Sequence, residues 1–198
     1  MRQWLTHHGR ILLWALTALP LATLQVAAQT PHVPAVLPAV APIATLDVPR
    51  YMGTWYEIAK FPNRFQAKCT SNTRAHYLAH HEGSVQVLNS CVTADGSTID
   101  ALGLAHQMGG PTSPKLQVRF APAWLSWLPM VWGDYWVIDL DADYQLAAVS
   151  DAKREYLWVL SRTSQVNTKA YDALIARIKA QHFDVQKLER TAQATTPR

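Results

Sequence analysis

Between Gly53 and Arg162 recurring turn residues divide the chain into eight short strand-like segments, a spacing that belongs to antiparallel sandwiches and barrels. The segments fall near 53–60, 71–79, 84–92, 97–107, 114–121, 133–140, 144–150 and 155–162. Several alternate. Thr73, Ala75, Tyr77 and Ala79 share one face while Arg74 and His76 take the other. Leu116, Val118 and Phe120 oppose Lys115, Gln117 and Arg119. Glu82-Gly83, Asp95-Gly96, Gly109-Gly110-Pro111 and Asp141-Ala142-Asp143 mark turns. One helix follows, capped by Asn167 or Thr168, with Tyr171, Leu174, Ile175 and Ile178 on one apolar stripe. A short last strand is expected near 183–189, then a disordered tail over 191–198. The pattern alone leaves a closed barrel and a sandwich both open.

The N-terminus stands apart from this pattern. Arg2 and Arg10 are the only Lys, Arg, Asp or Glu residues before Asp47. Residues 11–24 are uncharged and mostly apolar, and Val26-Ala27-Ala28 places small residues where signal peptidase cuts. Residues 1–28 read as a secretory signal. An uncleaved anchor is the alternative, though the run is short for a span and carries Pro20. Residues 29–45 are proline-rich and read as an extended tether, leaving a domain over 46–190.

Processing after Ala28 removes two of the charges that make the net charge +4. No basic run remains, and nucleic acid is excluded as an expected partner. Export places the two cysteines, Cys69 and Cys91, in an oxidising compartment, where a pair tends to form one disulfide. Two separate buried thiols are the other reading.

Gly53-Thr54-Trp55-Tyr56, just after a proline-led turn, resembles the Gly-x-Trp-Tyr signature of lipocalins. The run 51–59 resembles the bacterial outer-membrane branch, itself similar to apolipoprotein D. The runs 135–141 and 156–162 are similar to that branch's sixth and eighth strands. The resemblance covers roughly 46–190. It implies an all-β fold: an eight-stranded antiparallel up-and-down lipocalin barrel with one C-terminal helix and a short ninth strand.

In such a barrel the first strand starts where the eighth ends. Trp55 and Arg162 are therefore expected to meet at a closed floor, guanidinium on indole, with Gly53 and Tyr56 in the same structural set. Cys69 and Cys91 are expected together at the open mouth, clamping it. With Arg162 inward, alternation brings Leu160, Trp158 and Tyr156 inward. Tyr135, Val137, Tyr77, Val87, Leu116, Val118 and Phe120 complete the expected ligand-binding lining. Such a tube suits a fatty acid, lysophospholipid or similar amphiphile. The other reading is a solid core.

The segment 122–132 carries three tryptophans and no charge, and it falls at the expected mouth. Trp124, Leu125, Trp127 and Leu128 are candidates for peripheral membrane contact, where Trp is favoured. A lid over the mouth and a homodimer interface are the alternatives.

No metal or other cofactor is implied. A calcium loop starting at Asp139 would need glycine and glutamate where Tyr144 and Ser150 stand. His80-His81 has no metal-ligand spacing around it, and no HExxH, GxSxG, P-loop or GxGxxG motif occurs. The expected function is binding, storage or transport of a lipid for cell-envelope maintenance, without covalent chemistry. A lipocalin-fold enzyme, with an inward Glu57 beside Tyr135, is the alternative. The expected location is the periplasm after secretion across the inner membrane, with outer-membrane association but no lipidation cysteine after the signal.

Overall fold

The computed structural model describes residues 37–194. Nine strands form one sheet: β1 (Gly53–Lys60), β2 (Cys69–Ala79), β3 (Val85–Thr93), β4 (Thr98–Gln107), β5 (Lys115–Arg119), β6 (Gly133–Leu140), β7 (Leu146–Ser150), β8 (Leu157–Ser161) and β9 (Glu189–Arg190). Consecutive strands pair antiparallel from β2 to β8, β8 pairs with β1, and β1 also pairs with β2. The result is a closed eight-stranded antiparallel barrel with one extra strand and one C-terminal helix.

Two apolar layers hold it. The inner one gathers Trp55, Tyr77, Val87, Leu116, Val137, Val149 and Leu160. The outer one lies beneath helix α2 (Thr168–Ala180), where fully buried Leu174 and Ile178 meet Ile138, Ala148, Leu157 and Val159. β7 is sandwiched between the layers and buried at every position: Ala147 and Val149 join the inner cluster, Leu146 and Ala148 the outer. Asn167 caps α2 by accepting from the Ala170 N–H. Arg177 on the helix grips Asp139 on β6 with two bonds of 2.7 and 2.8 Å.

Several expected boundaries shift for local reasons. β7 starts at Leu146 rather than 144, because Asp141 Oδ1 accepts from the Gln145 and Leu146 N–H groups and Tyr144 adopts φ 60°. β9 is only two residues, since Val185–Lys187 winds into a 3-10 turn first. Residues 37–45 are not a free tether. Val40 is buried under the outer cluster, and the Ile43 N–H donates to the Val137 carbonyl. Residues 191–194 are not a free tail either. Thr191 N–H donates to Ile58 O, Asn72 N–H donates to Ala192 O, and the Gln193 amide donates to Glu57 O and Thr73 O. β1 and β2 pair directly only from Gly53 to Tyr56, so this segment fills the seam above. The expected signal, the first part of the tether and residues 195–198 lie outside the described residues.

Candidate functional site

The floor of the barrel is built by the segment before β1. Short helix α1 (Val48–Tyr51), capped by Asp47, sets Tyr51 where its carbonyl accepts from the Trp55 indole N–H at 2.8 Å. Trp55 is fully buried, and the Arg162 guanidinium lies 4.0 Å from its ring centroid. Arg162 donates to the carbonyls of Arg50, Thr54 and Tyr144 at 2.7, 3.1 and 3.2 Å. Gly53 has φ +91°, and a Cβ there would stand 3.4 Å from Arg162 Nη1. Tyr56 points to the other face of β1 and packs against the outer cluster.

Above the floor is a cavity of about 830 Å³. Tyr77, Val87, Leu116, Val118, Tyr135, Tyr156, Trp158 and Leu160 all line it, as does Phe120 at its rim. Phe120 is 43% exposed and leans over Gly103, where a Cβ would come within 2.8 Å of its ring. Val137, expected in the lining, does not line the cavity. It faces inward but is fully buried below, in the inner core. Alternation sets the face of a strand, and height along the axis decides between cavity and floor.

Several lining residues carry no sequence signal for the role. Tyr51 comes from α1, outside any strand. Ala101 and Ala105 of β4 keep that wall thin. Gln66, in the loop between β1 and β2, lines the cavity beside Glu57. Glu57 is buried on the wall, and its partners are not Tyr135. Gln66 Nε2 donates to Oε2 at 2.5 Å and Thr191 Oγ1 donates to Oε1 at 2.5 Å. Gln66 Oε1 accepts from the Trp158 indole and from Asn63 at 2.9 and 2.7 Å. Burial pushes the Glu57 carboxyl up, and the hydrogen bonds from Thr191 and Gln66 draw it part of the way back.

At the mouth, Cys69 and Cys91 form a disulfide that contributes to the lining. Tyr156 stacks on Trp158 with centroids 5.7 Å apart. In the β5–β6 loop Leu125 and Leu128 are half-buried, whereas Trp124, Trp127 and Met130 are 73%, 75% and 85% exposed. The third tryptophan, Trp132, turns back to set its ring edge-on to His106 at 4.5 Å. Among the described residues no group of three or more His, Cys, Asp or Glu could hold a metal ion.

A closed barrel with a plugged floor and an apolar hollow is a container for a small hydrophobic molecule. The chain belongs to the lipocalin family, whose lipocalin-like domain matches residues 46–193. It is 42% identical over 154 residues to temperature-induced lipocalin-1 of Arabidopsis thaliana, covering 77% of this chain and 82% of that one. It is 35% identical over 167 residues to the outer membrane lipoprotein Blc of Escherichia coli, covering 84% and 88%. Apolipoprotein D of Macaca fascicularis matches at 29% identity over 158 residues, covering 76% and 79%. Insecticyanin of the tobacco hornworm Manduca sexta shares the fold, with TM-score 0.61 at 19% identity over 80% of this chain and 87% of that one.

Proposed function

We propose that the chain binds, stores or transports a lipid, a fatty acid, lysophospholipid or similar amphiphile, in the service of envelope maintenance. The observation that carries this is the cavity of about 830 Å³, within the ~300–1,000 Å³ usual for small-molecule sites and walled mostly by apolar and aromatic side chains. Denaturing extraction of the purified protein, read by mass spectrometry, should release intact acyl lipids. The delipidated protein should take up a fluorescent fatty acid. Product-like species in the extract favour the enzyme reading, and an empty extract with no uptake overturns the carrier.

Export to the periplasm and association with the outer membrane are part of the same proposal. They are supported by the signal-like first 28 residues and by the likeness to Blc, an outer membrane lipoprotein. Cell fractionation tests them. The exposed Trp124, Trp127 and Met130 beside the mouth favour peripheral contact with a membrane, through which lipid would reach the cavity. In liposome flotation Trp124→Ser/Trp127→Ser should lose most of the wild-type binding. Equal binding ends that idea, and a loss of dimer in sedimentation assigns the patch to a second copy instead.

A further inference from the structure

Three tyrosine hydroxyls meet at the inner end of the cavity. Tyr135 Oη lies 2.9 Å from Tyr51 Oη and 2.9 Å from Tyr77 Oη. Three hydroxyls carry three protons, and the two contacts use two of them. Whichever way the bonds run, one O–H has no acceptor among the described residues. All three side chains line the cavity, so the missing acceptor is one the occupant can supply. A buried donor left unmatched is costly, and a ligand oxygen removes that cost.

Charge points the same way. The Arg162 guanidinium donates only to backbone carbonyls, and among the described residues no carboxylate bridges it. It lies against Trp55, and the Tyr51 ring packs on that same indole with centroids 4.8 Å apart. The Glu57 carboxyl does not compete, since each of its oxygens already accepts from Gln66 or Thr191. Burial pushes the three phenols up, Tyr77 to about 12, so at neutral pH they stay protonated and able to donate.

We infer that the tyrosine trio is the polar subsite of the cavity and receives the carboxyl group of a long-chain carboxylic acid, which lies head-down with its methyl end at the mouth. This rests on the lipid-binding reading above. The wall between the two ends agrees: Val87, Leu116 and Val118 flank the shaft, and Phe120 and exposed Phe65 meet the chain where it leaves.

The test uses the delipidated full chain loaded with palmitate carrying carbon-13 at either the carboxyl carbon or the terminal methyl. An aqueous gadolinium chelate should strongly relax the methyl signal and spare the carboxyl. Tyr51→Phe/Tyr77→Phe/Tyr135→Phe, which keeps the three rings and removes every donor of the subsite, should weaken palmitate binding about tenfold. A relaxed carboxyl with a protected methyl overturns the inference and leaves the carrier standing, as does unchanged affinity in the folded triple variant. No palmitate uptake overturns it as well, and an extract empty of lipid takes the carrier reading with it. Should the triple variant not fold, the relaxation pattern of the wild type decides alone.

Discussion

Arg162 ties together three stretches of backbone that are far apart in sequence: the end of α1 at Arg50, the start of β1 at Thr54 and the β6–β7 turn at Tyr144. Its cost of removal follows from that count. Arg162→Ala forfeits three charge-assisted bonds and the contact with Trp55, about 2–4 kcal/mol of stability in urea unfolding. Glu57 gives a prediction with a sign. Burial holds its folded pKa above the ordinary 4.5, so the unfolded chain releases that proton first as pH rises. Its contribution to stability therefore falls between about 4.5 and the folded value. Glu57→Gln lacks this slope. Unfolding curves from pH 4 to 8 should show the variant gaining on wild type as pH rises, and parallel profiles would refute it. Neither the Glu57 partners nor the tyrosine trio was legible beforehand. Thr191 is 134 residues from Glu57 and Tyr51 is 84 from Tyr135, distances that no local pattern spans.

At the scale of elements, periodicity told much more. β1 runs from Gly53 to Lys60, the expected limits, and the stripe on α2 covers the barrel with Leu174 and Ile178. Alternation separates the inside of a strand from its outside because successive side chains point opposite ways. It carries no information on depth, and so Val137 was expected in the lining while it belongs to the floor. It is equally blind to a segment such as 191–194, whose Thr-Ala-Gln-Ala run becomes wall only because β1 and β2 diverge above Tyr56. The helix is an outer support for β6 to β8. Leu174→Ala leaves a void between two buried layers and should cost about 2–5 kcal/mol, measured as a lower urea midpoint with an unchanged slope.

The molecule as a whole is fastened at both ends of its axis. The floor is closed by α1 and Arg162, and the mouth is clamped by the Cys69–Cys91 disulfide, whose partners are 22 residues apart. In chain-entropy terms that crosslink contributes about 3 kcal/mol. Cys69→Ala/Cys91→Ala should unfold at a correspondingly lower temperature, and a reducing agent should bring the wild type down to meet it. The seam between β1 and β2 bears on how the protein is made. Its filling, Thr191 to Ala194, follows every barrel strand along the chain. A chain delivered N-terminus first can therefore pair all its hairpins and still lack one stave of the cask, so the vessel closes only once α2 and the residues beyond it have followed.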